Sequence, residues 1–584
     1  MHTAFVKSCR LAEFSCVFSL PLFRRMSNHS STFTALRNPT YCRIWVASLL
    51  SSTCISAHDT AATWVMNMLS PSALLLSLMS TVASLPFFLF TLPAGALADM
   101  VDRRKLLRFM SFWLAASAAL LAVLFTFHWL TPTLVLICIF LTGVGFAFNA
   151  PAWTAIVPEI VTNDELPSAS TLSGLQLNVS GIIGPALGGL ALRFVSPSWV
   201  FGVNAVCFML VIFAINKWKR AGEASKLPLE NFLESFSTAI RYVRFSPSIQ
   251  VVLARNVLFS LFICVIPALI PVVGLQKLKF EPSSLGLLFT CMGAGAVFSA
   301  VFVVPRAREH LSSNAIITSA SILLVLVYLG MALAVDHLLF MGIAAVAGIA
   351  WTLAASELWV ASQRAMPDWA RGRMNATIIM VSQGAMALGG IIWGFSASTL
   401  GVTITLEVAA GLLLLSLLLS IPLSINFVSE LNFTPAPVTG LSHKLLHIPR
   451  PHDGPISITY EFEVNRSRGS EFIRLLREVR LIHLRNGAYS WRLHEDLGRA
   501  NVYRLEMMMP SWTEHLLQKE RYTQTEKDIL EKAVALHVGD QPPIERVYLC
   551  VNRELLNHVS LFSHPSTMPG SPLDLGTQEL GNTA

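Results

Sequence analysis

The sequence predicts an all-α membrane protein of about twelve crossing helices in two six-helix halves, followed by a small soluble α+β domain. Three observations predict it. Of 584 residues, 53% are hydrophobic and only 13% are charged, against roughly 25% charged in an ordinary soluble domain. Uncharged runs long enough to cross a hydrocarbon layer of roughly 30 Å recur up to about residue 427 and then stop. Beyond about residue 440 the composition becomes that of a soluble domain.

The apolar spans fall at 44–67, 72–95, 107–127, 131–153, 169–193, 198–216, 252–275, 283–304, 313–334, 338–361, 375–398 and 402–427. A run such as SFWLAASAALLAVLFTF is far better explained by lipid than by a soluble core. Lys and Arg cluster in the even-to-odd connections, at Arg103, Arg104, Lys105, Arg108, Lys217, Arg306, Arg308, Arg371 and Arg373, with Lys277 and Lys279 as the main exceptions. The positive-inside rule then puts both termini in the cytoplasm. The net charge of +7 is explained by topology, and its scatter between apolar runs leaves no face for nucleic acid.

These spans set the domain organisation. Residues 1–32 form a disordered or mis-assigned extension; they include a base-then-apolar segment without a small-x-small cleavage site. The first bundle is 33–216 and the second 252–430, joined by a linker, 217–251. Its stretch LPLENFLESFSTAIRYVRF has apolar residues at helical spacing, as for a helix lying on the membrane surface. AIVPEIVTNDELPSASTLSG after the fourth span is echoed by ASQRAMPDWARGRMNATIIM after the tenth. Two repeats in the same orientation point to a transporter with its cavity between the halves.

A linker, 431–455, leads to a cytoplasmic domain at 456–555 and a disordered tail at 556–584. ISITYEFEV alternates with period two, SEFIRLLREVRLIHLR has helical spacing, AYSWRLH and ANVYRLEM read as strands, and helices and a strand at ERVYLC follow. That order fits a ferredoxin-like sandwich. The nine cysteines are scattered singly without metal-ligand spacing, and no GxxxxGK[ST] is present, so neither a metal nor a bound cofactor is expected and ATP is not the direct drive.

Residues 91–109, TLPAGALADMVDRRKLLRF, interrupt the apolar pattern with two acids and four bases. With the second helix ending near Leu97, Asp99 to Arg108 form the link to the third. Gly95 allows close helix contact there, and Asp99 can accept hydrogen bonds at a neighbouring helix N-terminus. Together with Asp102, Arg103 and Arg104 it makes a cytoplasmic latch.

GALADMVDRRKLL resembles the loop signature of the major facilitator superfamily, which usually has Gly where Asp102 stands, a position suited to positive φ. PRAREH at the matching place in the second half lacks the leading acid. NVSGIIGPALGG resembles the Gly-Pro motif of antiporter members. Gly181, Gly184, Gly188 and Gly189 form a small-residue face, and Pro185 permits bending. VPEIVTNDELPSA, MPDWARGRMNAT and the appended YSWRLHEDL and SWTEHLLQ stretches are similar to the bacterial transmembrane secretion effector group, relatives of enterobactin exporters, over roughly residues 33–555. The resemblance implies the twelve-helix major facilitator fold in a bacterial inner membrane. It further implies export of small amphiphilic cargo, of drug or siderophore class, by alternating access, and no enzyme activity. The fourth helix, LVLICIFLTGVGFAFNAPAW, lacks the Arg that many proton-driven drug exporters carry there.

An ionised Asp in mid-membrane costs about 2.5 to 3.5 kcal/mol, so Asp59 should face water or a partner. Ser48, Ser52, Ser56, Asp59, Thr63 and Asn67 share one helical stripe that should line the cavity. Asp59 is the candidate proton-coupling carboxylate and His58 its helper. Glu357 is a second candidate, or else a gate partner of Arg364 or a solvated end residue. Asn149, Asn178, Asn256 and Gln383 are candidates for bonding cargo. The rival reading is a membrane-anchored oxygenase or sensor. The soluble domain resembles the antibiotic-biosynthesis monooxygenase type, in which Trp491, Trp512 and His515 would line a cleft; the reading favoured over it is that the aromatics are core and His515 a satisfied packing residue, with regulation or dimerisation through this domain rather than catalysis.

Overall fold

A computed structural model of the chain describes residues 33–218, 232–425, 432–436, 449–539 and 542–550. It divides into two units, Met1–Thr434 and Pro435–Ala584. The expected extension at 1–32, linker residues 219–231 and the tail at 556–584 lie outside the described residues.

The first unit is built from helices α1 (Pro39–Leu69), α2 (Ala73–Met100), α3 (Arg103–Thr126), α4 (Pro132–Ile160), α5 (Leu166–Phe194), α6 (Pro197–Asn216), α7 (Phe232–Arg244), α8 (Pro247–Lys277), α9 (Pro282–His310), α10 (Ser313–Leu333), α11 (His337–Arg364), α12 (Arg371–Leu400) and α13 (Val402–Leu419). All but α7 have the length to span a bilayer. Eleven are also apolar enough to cross it. The twelfth, α1, has 31 residues, and its hydroxyls, His58 and Asp59 lower its apolarity.

Local sequence explains where these helices start. Pro39, Pro132, Pro197, Pro247 and Pro282 each occupy a first helical position, where a missing N–H costs nothing and φ is preset. Asn38 caps α1 by accepting from the amides of Thr40 and Tyr41 at 3.0 and 3.3 Å, and Asp336 caps α11 in the same way. The last span ends earlier than expected, at Leu419, in a turn through Ser420.

Within the first bundle α1 packs on α5 and α6, α2 on α4, and α3 on α4 and α6. In the second, α8 packs on α12, α9 on α11, and α10 on α11 and α13. The bundles meet along α2 with α12 and α5 with α9. The linker helix α7 packs one side on the second bundle. Its Ala239 and Tyr242 are buried in a cluster with Val252, Leu358 and Met374, and Tyr242 meets the Trp369 ring edge-on at 5.6 Å.

In the second unit a four-stranded antiparallel sheet comprises β1 (Ile456–Glu463), β2 (Ser490–Glu495), β3 (Val502–Met509) and β4 (Ile544–Leu549) in the order β2-β3-β1-β4. With α14 (Gly469–Asn486), α15 (Trp512–Arg521) and α16 (Gln524–Val534) inserted between strands, this is ferredoxin-like topology. The alternating apolar residues of β1 face the helices, where Phe462 packs on Phe472 at 5.3 Å and Phe472 on Tyr503 at 5.5 Å.

Candidate functional site

The site grows from the way α1 is held. Both α1 and α5 run in the same direction, and their contacts advance together: Tyr41 OH donates to Ala169 O at 3.1 Å, Trp45 Nε1 to Leu172 O at 3.1 Å, and Gln176 Nε2 to Ser52 Oγ at 2.7 Å. Further along, Thr53 Oγ1 and Ser180 Oγ lie 3.3 Å apart. Cys54 and His58 face α6 instead. Cys54 Sγ is 3.2 Å from Cys207 Sγ, and the buried His58 ring meets Phe201 edge-on at 4.7 Å.

At about 100° per residue, Ser52, Asp59 and Thr63 lie within about 40° of one another, on the azimuth of Tyr41 and Trp45, which bond α5. Asp59 is exposed, and Ser52, Ser56, Thr63 and Asn67 are half-buried. α1 also touches α2, α4 and α9. Asp59 stands ten residues before Leu69, roughly 15 Å from that end of the helix. Thr63 Oγ1 and Ser56 Oγ are spent on the backbone carbonyls of Asp59 and Ser52. The structure does not bring His58 to Asp59: the two project about 100° apart, and His58 Nδ1 has no partner. Gln176, which sequence reasoning missed, is an isolated amide in a small-residue helix and carried no distinctive signal.

The other candidate amides separate. Asn178 is exposed, Asn149 and Gln383 are half-buried, and Asn256 is buried with Nδ2 donating to Val252 O of its own helix at 2.9 Å. Asn256 is therefore withdrawn from the cavity wall.

The glycine motif works on two sides of α5. A Cβ at Gly188 would lie 2.7 Å from Ala57 O, and one at Gly184 would strike Ser56 and Thr53; these two seat α1. Gly189 faces the other bundle, where a Cβ would lie 2.6 Å from Pro282 O and 2.7 Å from Gly286 Cα. Pro185 O and Gly181 O receive Gly286 and Gly293 of α9, and Thr290 Oγ1 donates to Ile182 O at 2.9 Å. Gly181 differs from the expectation, since its own Cβ position points into open space.

The charged turn is mostly helix. With α2 running to Met100 and α3 starting at Arg103, the link shrinks to Val101 and Asp102. Asp102 has φ −55° and caps α3, accepting from Arg104 N at 2.8 Å and Lys105 N at 3.3 Å. The expected positive φ is absent, because an N-cap needs a short acceptor and not a left-handed backbone. Arg103 pairs with Glu159 of α4 at 2.8 Å, Arg104 donates to Asn216 O at 2.6 Å, and Arg108 to Asn216 Oδ1 at 3.1 Å. These contacts tie the turn to the ends of α4 and α6. The Asp99 side chain lies outside the described residues. A Cβ at Gly95 would meet nothing within 4 Å, nor would one at Gly174 or Gly372, so among the described residues no close contact is made along that direction at Gly95.

Glu357 is buried, and its partner is Arg308 rather than Arg364. Arg308 Nε donates to Glu357 Oε2 at 2.9 Å, and Ser313 Oγ to Oε1 at 2.5 Å. It is neither solvated nor free in the crevice.

In the second unit Trp512 and His515 are in the core as favoured, although neither ring nitrogen of His515 has a partner. Trp512 and His515 are buried against each other, ring centroids 5.2 Å apart, and Trp491 Nε1 donates to His483 Nδ1 at 3.1 Å. Trp512 and His515 are core residues, and Trp491 is half-buried.

Residues 30–555 match the family model described as transmembrane secretion effector. The chain is 21% identical to macrolide efflux protein A of Streptococcus pyogenes over 44% of its length, spanning 65% of that protein. It is 22% identical to the staphyloferrin A transporter of Staphylococcus aureus, covering 58% of this chain and 84% of that one. It is also 22% identical to the enterobactin exporter of Shigella boydii, covering 65% and 91%. Among solved structures the fold is similar to that of a nucleoside transporter (TM-score 0.56, 11% identity, 65% and 99% covered) and of a bacterial Spinster homologue (0.53, 12%, 68% and 98%). The expectation of a transporter rather than an enzyme agrees with this kinship. The chain belongs to the transmembrane secretion effector family of the major facilitator superfamily.

Proposed function

We propose that the protein is a secondary active exporter of small amphiphilic molecules, of drug or siderophore class, working by alternating access. The observation that carries this reading is Asp59, an exposed carboxylate well inside a spanning helix. An acid so placed exchanges a proton between the two facings of the crevice, and we assign it the coupling role. The glycine contacts of α5 with α9 let backbones slide past one another without side chains in the way. Support for an efflux direction comes from relatives named as macrolide efflux and enterobactin export proteins.

The basic ends near Arg103 and Arg308 lie in the cytoplasm of a bacterial cell by the positive-inside rule, with both termini on that side of the inner membrane. The two bundles occupy 33–216 and 252–430, and the 456–555 domain serves regulation or dimerisation.

Accumulation of a panel of fluorescent dyes and siderophores in cells with and without the protein tests the reading. Export predicts lower accumulation of at least one compound, restored by a protonophore. Equal accumulation across the panel would remove it.

A further inference from the structure

The contact between α1 and α6 buries more polar chemistry than its packing uses. Cys54 Sγ and Cys207 Sγ meet across it at 3.2 Å, and one level further along the His58 ring meets Phe201. Residue numbers rise on α1 as they fall on α6, so the two helices are antiparallel, and Asn204 of α6 stands at a level between Cys54 and His58. His58 follows Cys54 by one turn on a single face of α1, and Asn204 precedes Cys207 by three residues on a single face of α6. Asn204 is fully buried with neither Oδ1 nor Nδ2 partnered, and His58 is buried with Nδ1 unpartnered, among the described residues. Buried polar atoms left in that state are rare and costly, and packing alone explains none of them. No third Cys, His, Asp or Glu completes a metal-holding group with the two sulfurs among the described residues. The sulfurs are already within about 1.2 Å of the roughly 2.05 Å that a disulfide bond requires.

We propose that Cys54 and Cys207 are an oxidisable pair, converted by hydrogen peroxide to a disulfide that ties α1 to α6. A thiol in apolar surroundings reacts slowly unless its proton is taken, because the thiolate is the nucleophile. His58 Nδ1 is the acceptor one turn away, and the Asn204 amide N–H is a donor for the sulfur anion that results. Cys54 is the half-buried member of the pair, whereas Cys207 is buried, so peroxide reaches Cys54 first. The Cys54 thiolate attacks one peroxide oxygen and the O–O bond breaks. The departing hydroxide takes the proton back from His58 and leaves as water, with Cys54 now a sulfenic acid. The Cys207 sulfur then attacks Cys54, its proton passes to the sulfenic hydroxyl, the S–O bond breaks and a second water leaves. Two thiols and one peroxide thus become one disulfide and two waters. Both helices belong to the first bundle, so the link fixes α1 to its own bundle without bridging the two halves.

Peroxide treatment of the purified full-length protein in nanodiscs, followed by denaturation, thiol alkylation and peptide mass spectrometry, tests this without requiring transport. Cys54 and Cys207 of the unmodified protein should be recovered in one linked peptide pair, and dithiothreitol should restore both thiols. The linked form should melt several degrees above the reduced form. Cys207→Ala should stop at a sulfenic acid on Cys54, which dimedone captures. His58→Phe should slow linkage at least about tenfold, as loss of a general base does, and Asn204→Leu should slow it severalfold. Oxidation of other cysteines while Cys54 and Cys207 stay alkylated in the unmodified protein would overturn the proposal whatever the variants do. Linkage at the unmodified rate in a folded His58→Phe protein would overturn the role of His58, and an unchanged melting temperature in the linked form would overturn the tie between the helices.

Discussion

Arg308 and Glu357 are joined by a 2.9 Å ion pair whose counterpart in the first bundle is the 2.8 Å pair of Arg103 and Glu159. Each links an arginine from the basic end of its bundle to a glutamate near the end of the fourth helix of that bundle. The pairs differ in burial: the Glu357 side chain is 4% exposed and that of Glu159 21%. Removing one member of a buried pair leaves an uncompensated group, whereas exposed pairs contribute little. Glu357→Ala is expected to cost about 1 to 3 kcal/mol and Glu159→Ala under about 1 kcal/mol. Thermal unfolding of the two variants in one detergent checks the order, and a larger loss for Glu159 would contradict it.

Gly189 and Gly181 offer a matched pair on one helix. A methyl at Gly189 meets Pro282 O and Gly286 Cα inside 3 Å, while one at Gly181 meets nothing. Gly189→Ala should therefore slow transport severalfold by separating α5 from α9, and Gly181→Ala should leave it near normal. Efflux rates at matched protein levels read the difference. Similar rates for the two would refute the sliding-contact role.

The soluble domain should weaken in acid. Burial pushes the His483 imidazole down to about 4, and burial with help from Lys519 does the same at His515. An unfolded histidine titrates near 6.5. Between these values the unfolded chain binds protons that the folded domain refuses, so stability is fully present above about pH 6.5 and falls as pH drops toward 4. At pH 5 the loss is about 2 kcal/mol per histidine. Limited proteolysis of the full-length protein should show the 456–549 region opening at pH 5 while resisting at pH 7.5. Equal resistance at both would count against neutral buried histidines.

The two histidines should respond oppositely to substitution. His483 accepts the Trp491 indole N–H, whereas both ring nitrogens of His515 are buried without partners. His483→Leu should cost about 1 to 2 kcal/mol by orphaning that donor, and His515→Leu should be neutral or stabilising. Hydrogen exchange in β2 and α15 of the full chain distinguishes them. Faster exchange in the His515 variant alone would reverse the argument.

The spanning helices were legible because each must cover lipid with an uninterrupted apolar run, and the seating of Gly184 and Gly188 on α1 was legible because only small residues let backbones approach. The charged turn was misread. Helices continue past the hydrocarbon edge, so DRRKLL, which looks like loop, is the first turn of α3. The partners of Glu357 were beyond reach, since Arg308 lies 49 positions away and Arg364 only one turn or two along the same helix. The separation of His58 from Asp59 was implicit in helical geometry, because neighbours in sequence project about 100° apart. Gly95 illustrates a different limit: a small residue permits close contact without requiring it in a given conformation.

The central claim is that Asp59 couples transport to a proton gradient, and everted membrane vesicles test it most directly. With a pH gradient imposed, the unmodified protein should accumulate a cargo identified by the dye and siderophore panel, and collapse of the gradient should release it. Asp59→Asn, at equal abundance and unchanged melting temperature, should show no gradient-driven accumulation. Accumulation by that variant at the unmodified rate would contradict the account.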